Sequence, residues 1–179
     1  MTDHTPPPSD DSALDAPSNP TTEGAHGRYR KIVVPIDGSG WSERAIPHAV
    51  DIARNNGSEI ILLHVFRVPA SEYTDQLALA GQDVQIDRIR SEVKNYLMGL
   101  RGQLRNQHVE CRVQYIEGVG TASLICDYVN DEGVDLVVMT SHGRTGISRF
   151  IFGSIAEKVL QGVNVPVLII RPGKDERGA

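Results

Sequence analysis

Two short runs, KIVVPI (Lys31–Ile36) and EIILLHVF (Glu59–Phe66), limit what this chain can fold into. Both are aliphatic and rich in β-branched residues, and neither alternates apolar with polar positions. A strand with one wet face alternates, so strands of this kind are covered on both faces, as in a parallel sheet sandwiched by helices. Parallel neighbours need long crossovers, and amphipathic stretches stand where those crossovers belong.

The first follows the turn Asp37-Gly38-Ser39-Gly40: Ala45, Ala49, Ile52 and Ala53 fall on one side of a helix that starts after Ser42 and stops at Asn55-Asn56-Gly57. Residues 67–82 read as a long loop with a short helical turn near Leu77–Ala80. Ile86, Ile89, Val93, Leu97, Leu100 and Leu104 then mark a long amphipathic helix. Glu110–Ile116 alternates, which suits a strand nearer a sheet edge. After Gly118-Val119-Gly120, Thr121 is placed to cap a helix carrying Leu124, Ile125, Tyr128 and Val129. Strand Asp135–Met139 leads through a glycine-bearing loop to a helix with Ile155, Val159 and Leu160, and Val165–Ile170 is the last strand. Pro166 suits an edge, where a missing N–H interrupts no central ladder. The order β-α-β-α-β-α-β-α-β predicts an α/β fold with a single open five-stranded parallel sheet and helices on both faces.

Composition settles the flanks and excludes some functions. Residues 1–28 hold Pro6, Pro7, Pro8, Pro17 and Pro20 among small polar residues, and too little apolar surface to offset the entropy of ordering, so a disordered acidic tail is expected. Residues 1–27 carry Asp3, Asp10, Asp11, Asp15 and Glu23 with no Lys or Arg, which accounts for the formal charge of −5 and leaves the remainder near neutral. That argues against a nucleic-acid partner. The expected domain spans 29–173, with a short tail at 174–179. Cys111 and Cys126 lack metal-site spacing and read as buried free thiols. Neither a signal segment nor a membrane-spanning run is apparent, so a cytoplasmic protein without a membrane partner is expected.

In open parallel sheets, ligands sit beyond the carboxyl ends of strands where the strand order reverses. The first strand ends in Pro35-Ile36-Asp37 and the fourth in Met139-Thr140; were these strands neighbours, both ends would share one crevice. Gly143, Arg144, Gly146 and Arg149 follow, and Gly153-Ser154 opens a helix. A helix N-terminus behind a glycine loop favours an anion, so this loop is read as a phosphate holder. The P-loop signature is absent and G-x-G-x-x-G fails at both Gly38-Ser39-Gly40 and Gly118-Val119-Gly120. Structural roles stand beside the functional ones. Ser154-x-x-Glu157 is a capping box, Asp37 can cap the turn toward Ser39, loop arginines are often solvated, and His64 reads as a hydrogen-bonded core histidine.

The segment SHGRTGISRFIFGSIAEKV resembles the nucleotide-binding loop of the universal stress proteins, as IVVPIDGSGWSERAI and LLHVF resemble their first and second strands. ATP-binding members carry Gly, two residues, Gly, nine residues, Gly, then Ser or Thr; Gly143, Gly153 and Ser154 match, while Thr140 stands at the first glycine. The resemblance implies a Rossmann-like fold akin to the adenine nucleotide alpha-hydrolases. It implies ATP with Mg²⁺ bridging the phosphates. Asp37 and the Val65 backbone would lie near adenine, with Pro35, Ile36, Met139 and Thr140 flanking the adenosine. Gly143, Gly153, Ser154, Ile155 and Ala156 would donate to phosphate, with Arg144 nearby. A homodimer paired through Val165 to Ile170 is also implied. No catalytic set or metal cluster stands out, so binding is expected rather than catalysis, with at most slow ATP hydrolysis. The alternative is a dimeric interaction protein of the same fold that binds no nucleotide.

Overall fold

β1 (Lys31–Pro35) lies at the centre of the sheet, and the chain winds away from it in two directions. The computed structural model describes residues 28–67, 76–141 and 153–171, with side chains from residue 84 onward in the second of these segments. After β1 come α1 (Gly40–Glu43), α2 (Ala45–Asn56) and β2 (Glu59–Phe66). Then follow α3 (Gln76–Asn106), β3 (Cys111–Glu117), α4 (Thr121–Asp131), β4 (Leu136–Thr140), α5 (Ser154–Gly162) and β5 (Val167–Ile170). The strand order is β3-β2-β1-β4-β5 and every pairing is parallel. The predicted open five-stranded α/β architecture is therefore present, with β3 and the proline-preceded β5 at the edges.

The unalternating strands bury both faces, as their composition requires. On one face Ile32, Val34, Ile60 and Leu62 pack beneath α2 and α3, against Ala45, Ala49, Leu97 and Leu104. On the other, Val33, Ile61, Leu63 and Val137 meet Ile125 and Val129 of α4 and Val159 of α5. Each fully buried aliphatic side chain contributes about 1.5–3 kcal/mol, so this double-sided core dominates the stability of the sheet. Gly57 ends α2 in the left-handed region at φ 65°. Both cysteines are buried free thiols.

Several local expectations are corrected. Helix α3 begins at Gln76, so the short helical turn expected near Leu77–Ala80 is the start of this long helix, and residues 76–82 of the stretch read as loop are helical. Thr121 is the first residue of α4 rather than its cap. The cap position belongs to Gly120 at φ 84°, where no side-chain hydrogen bond closes the helix end. A helical turn already begins at Gly40, before Ser42, and Ser39 caps it: its side chain accepts from the Ser42 N–H. The last strand starts at Val167 rather than Val165, because Pro166 offers no N–H to begin a ladder.

Candidate functional site

The sheet parts between β1 and β4. Their pairing ends at Val33↔Val137. By contrast, β1 follows β2 to Pro35↔Leu63, and β4 follows β5 to Thr140↔Ile170. Backbone polar groups of a strand alternate between its two neighbours. The Ile36 N–H donates to the Leu63 carbonyl of β2 at 2.8 Å, whereas the Lys31 carbonyl accepts from Asp135 on the β4 side at 2.9 Å. Pro35 is therefore at a position whose backbone nitrogen faces β4, and proline has no proton to donate there. The ladder stops and a crevice opens where the strand order reverses.

That crevice is a cavity of about 570 Å³, within the roughly 300–1,000 Å³ usual for small-molecule sites. Pro35, Ile36, Asp37, Val65, Met139, Thr140, Gly153, Ser154, Ile155 and Ala156 line it, so residues named from three separate stretches of sequence meet around one space. Gly143 and Arg144 lie outside the described residues. Ser42, His64, Phe66, Arg67, Ile89, Val93, Thr121, Ile125 and Ser141 also line the cavity and were not singled out as site residues. Of these, Ile89 carried no separate signal in the sequence, where it belongs to one aliphatic stripe with Leu97 and Leu104; the structure leaves it 41% exposed while they are buried.

One side of the cavity is a closed hydrogen-bonded turn. Asp37 Oδ1 accepts from the Ser39 N–H at 2.9 Å and from the Ser39 hydroxyl at 2.5 Å. The Asp37 N–H donates to Ser42 Oγ at 3.2 Å, and the Ser42 hydroxyl donates to the Ser39 carbonyl at 2.9 Å. The expected Asp37 cap toward Ser39 is thus formed, and it fixes this carboxylate at the cavity edge. Behind it, His64 is buried with Nδ1 2.7 Å from the Ile36 carbonyl oxygen. A carbonyl only accepts, so Nδ1 carries the proton and the ring is held in one tautomer. Tyr96 donates to Glu43 Oε1 at 2.6 Å, joining α3 to the helical turn after Asp37. Burial, then this hydrogen bond, pushes the Tyr96 phenol well above its ordinary range.

The opposite side is the start of α5. Gly153 occupies the cap position with no side-chain hydrogen bond there, so the expected Ser154 capping box is not formed; Ser154 lies one residue past the cap. The Gly153 N–H, expected to point at a ligand, donates to the Ser141 carbonyl at 2.8 Å. The first bond of α5 runs from the Glu157 N–H to the Gly153 carbonyl at 3.0 Å. The N–H groups of Ser154, Ile155 and Ala156 accordingly have no partner within the helix, and all three residues line the cavity. The site joins an apolar middle to a helix start that favours negative charge. Among the described residues no group of His, Cys, Asp and Glu could hold a metal ion by itself. Nor is any described helix long and apolar enough to cross a membrane.

The model of the universal stress protein family matches residues 28–171. The chain belongs to that family. The universal stress protein MJ0531 of Methanocaldococcus jannaschii is 30% identical to it over 148 residues, spanning 83% of this chain and 85% of the relative. Among solved structures, MJ0577 of the same organism shares its fold at a TM-score of 0.72 with 26% identity, covering 83% of this chain and 99% of that one. A universal stress protein of Archaeoglobus fulgidus, solved in complex with dAMP, has the same fold at a TM-score of 0.55 and 22% identity, covering 80% and 99% of the two chains. Within the universal stress protein fold of this chain, the crevice between β1 and β4 is where the named residues that are described converge.

Proposed function

We propose that this universal stress protein binds ATP in the β1–β4 crevice and acts as a nucleotide-responsive stress factor in the cytoplasm. One observation carries the reading: a single cavity has the Asp37 turn and the end of β2 on one side and the start of α5 on the other. A nucleoside triphosphate needs that polarity. Adenine would lie near Asp37 and Val65, the ribose against Pro35, Ile36, Met139 and Thr140, and the phosphates on the N–H groups of Ser154, Ile155 and Ala156. Gly143 and Arg144 complete the proposed phosphate contacts. Gly153 would serve by holding the start of α5 in place. The dAMP complex of the Archaeoglobus relative supports an adenine nucleotide as the ligand class.

The reading includes Mg²⁺ as a companion of the phosphates. Magnesium is usually held by one or two carboxylates together with phosphate oxygens, and the described residues offer no cage of their own. A Mg²⁺ ion would neutralise phosphate charge, with hydrolysis slow at most. We place a homodimer at β5, the sheet edge, where Leu168 is exposed. That same edge favours the second reading, an interaction protein of this fold acting through dimerisation alone.

Equilibrium dialysis of the full chain with labelled ATP and Mg²⁺ tests the proposal. Saturable binding near one nucleotide per chain is expected. Absence of saturable binding would overturn it and leave the interaction reading.

A further inference from the structure

Helix α3 presents two adjacent i, i+4 pairs to different surroundings. Arg90 and Lys94 turn toward β3. The Arg90 guanidinium bonds Glu117 at 2.8 Å and Asp87 at 2.7 Å, and the Lys94 ammonium lies 5.4 Å from the centre of the Tyr115 ring. One position earlier on the helix, Ile89 and Val93 line the cavity instead. Val93 also packs on the core, whereas Ile89 remains 41% exposed. Buried Leu97, Leu100 and Leu104 seat α3 on the sheet, the polar contacts lie on its β3 side, and its aliphatic pair forms a cavity wall. This wall belongs to the helix layer opposite α5: α3 covers the face of Ile60 and Leu62, and α5 the face of Val33 and Val137.

We propose that Ile89, backed by Val93, is a specificity-determining residue that forms the apolar wall against which the nucleobase lies. The inference rests on the nucleotide reading above and adds a selection rule to it. Aliphatic side chains offer nothing to a phosphate, which would lose its hydration there without a donor in return. A flat heteroaromatic face gains by covering them. Ile89 and Val93 line the same cavity as Asp37 and Val65, the residues proposed to hold adenine, so in this proposal the wall and the base edge contacts serve the same part of the ligand. Selection for a nucleotide over a bare polyphosphate is then made on α3, while the phosphates are gripped on α5.

The test titrates full-length protein with Mg²⁺–ATP and, separately, with Mg²⁺–tripolyphosphate. Ile89→Ser weakens ATP binding about tenfold or more, equivalent to losing part of one aliphatic contact. Tripolyphosphate binding stays at the parent level, and Ile89→Leu, which keeps the aliphatic volume, restores ATP affinity. Equal affinity of parent and Ile89→Ser for ATP overturns this inference alone. Equal loss of both ligands overturns it as well. So does a fall of more than about 5 °C in the ligand-free melting temperature, which would place Ile89 against the protein's own core. A parent protein that binds no ATP removes both this inference and the reading beneath it.

Discussion

His64 on β2 donates its Nδ1 proton to the carbonyl oxygen of Ile36, across 2.7 Å, just beyond the end of β1. The bond is buried and spans two central strands at the point where the sheet opens toward the cavity. It holds the residue before Asp37 against β2 after the β1–β4 ladder has ended.

Replacing His64 with Phe keeps the volume approximately and removes the donor. The Ile36 carbonyl then loses a buried partner, at a cost of about 1–3 kcal/mol. Urea unfolding should show the unfolding free energy lowered by that amount, as a lower midpoint with an unchanged slope, and a nucleotide affinity lowered as well, because Asp37 follows Ile36 directly.

Ser154→Pro separates ligand binding from folding. Proline is tolerated at the first helical position, and Gly153 at φ −59° and ψ 149° already has the extended backbone that a residue before proline prefers. Thermal stability should stay within about 1 kcal/mol of the parent, since no bond inside the helix is lost. ATP affinity should fall severalfold when measured by calorimetry. Unchanged affinity would remove the Ser154 N–H from the proposed phosphate contacts.

Pro35→Val restores a donor facing β4. A new ladder bond gives about 0.5–1.5 kcal/mol, and the loosened unfolded chain takes back about 0.4–1 kcal/mol. Net stability should therefore change little. Hydrogen exchange should show stronger protection between the ends of β1 and β4, accompanied by weaker nucleotide binding as the crevice narrows.

At the far end of α5, a Cβ on Gly162 would stand 2.6 Å from Cys126 Sγ. Alanine ordinarily favours a helix over glycine by about 1 kcal/mol, but overpacking costs about 1–3 kcal/mol. The clash should win, and Gly162→Ala should destabilise. Adding Cys126→Ala should recover most of the loss, giving a positive coupling in a double-mutant cycle.

Alkaline pH should loosen the fold. Burial pushes the Cys111 thiol from its ordinary 9.0 up to about 11, and burial together with Glu43 raises the Tyr96 phenol. Between those limits the folded chain keeps protons that the unfolded chain releases. The stabilisation is thus complete below pH 9.0 and is lost as the pH rises through about 11. Unfolding free energies measured across this window should decline, and Cys111→Ser should flatten the decline.

The sequence was most legible where one physical requirement dominated. Unalternating runs such as EIILLHVF require cover on both faces, and that requirement alone implies the parallel sheet seen here. Helix ends were less legible. Thr121 and Ser154 have the chemistry of caps, yet each stands one position inside its helix, behind Gly120 and Gly153. Composition signals that a helix starts nearby, but only the backbone decides which residue stops being extended. The cavity wall on α3 was harder still to see. Ile89 and Val93 belong to the same stripe as Leu97 and Leu104, and periodicity cannot separate a residue that packs on the sheet from one that overlooks a cavity.

The bond from the Gly153 N–H to the Ser141 carbonyl draws together the two points where the chain leaves β4 and enters α5. The first turn of α5 is therefore registered against the end of β4, and the N–H groups of Ser154, Ile155 and Ala156 inherit their position from the sheet itself.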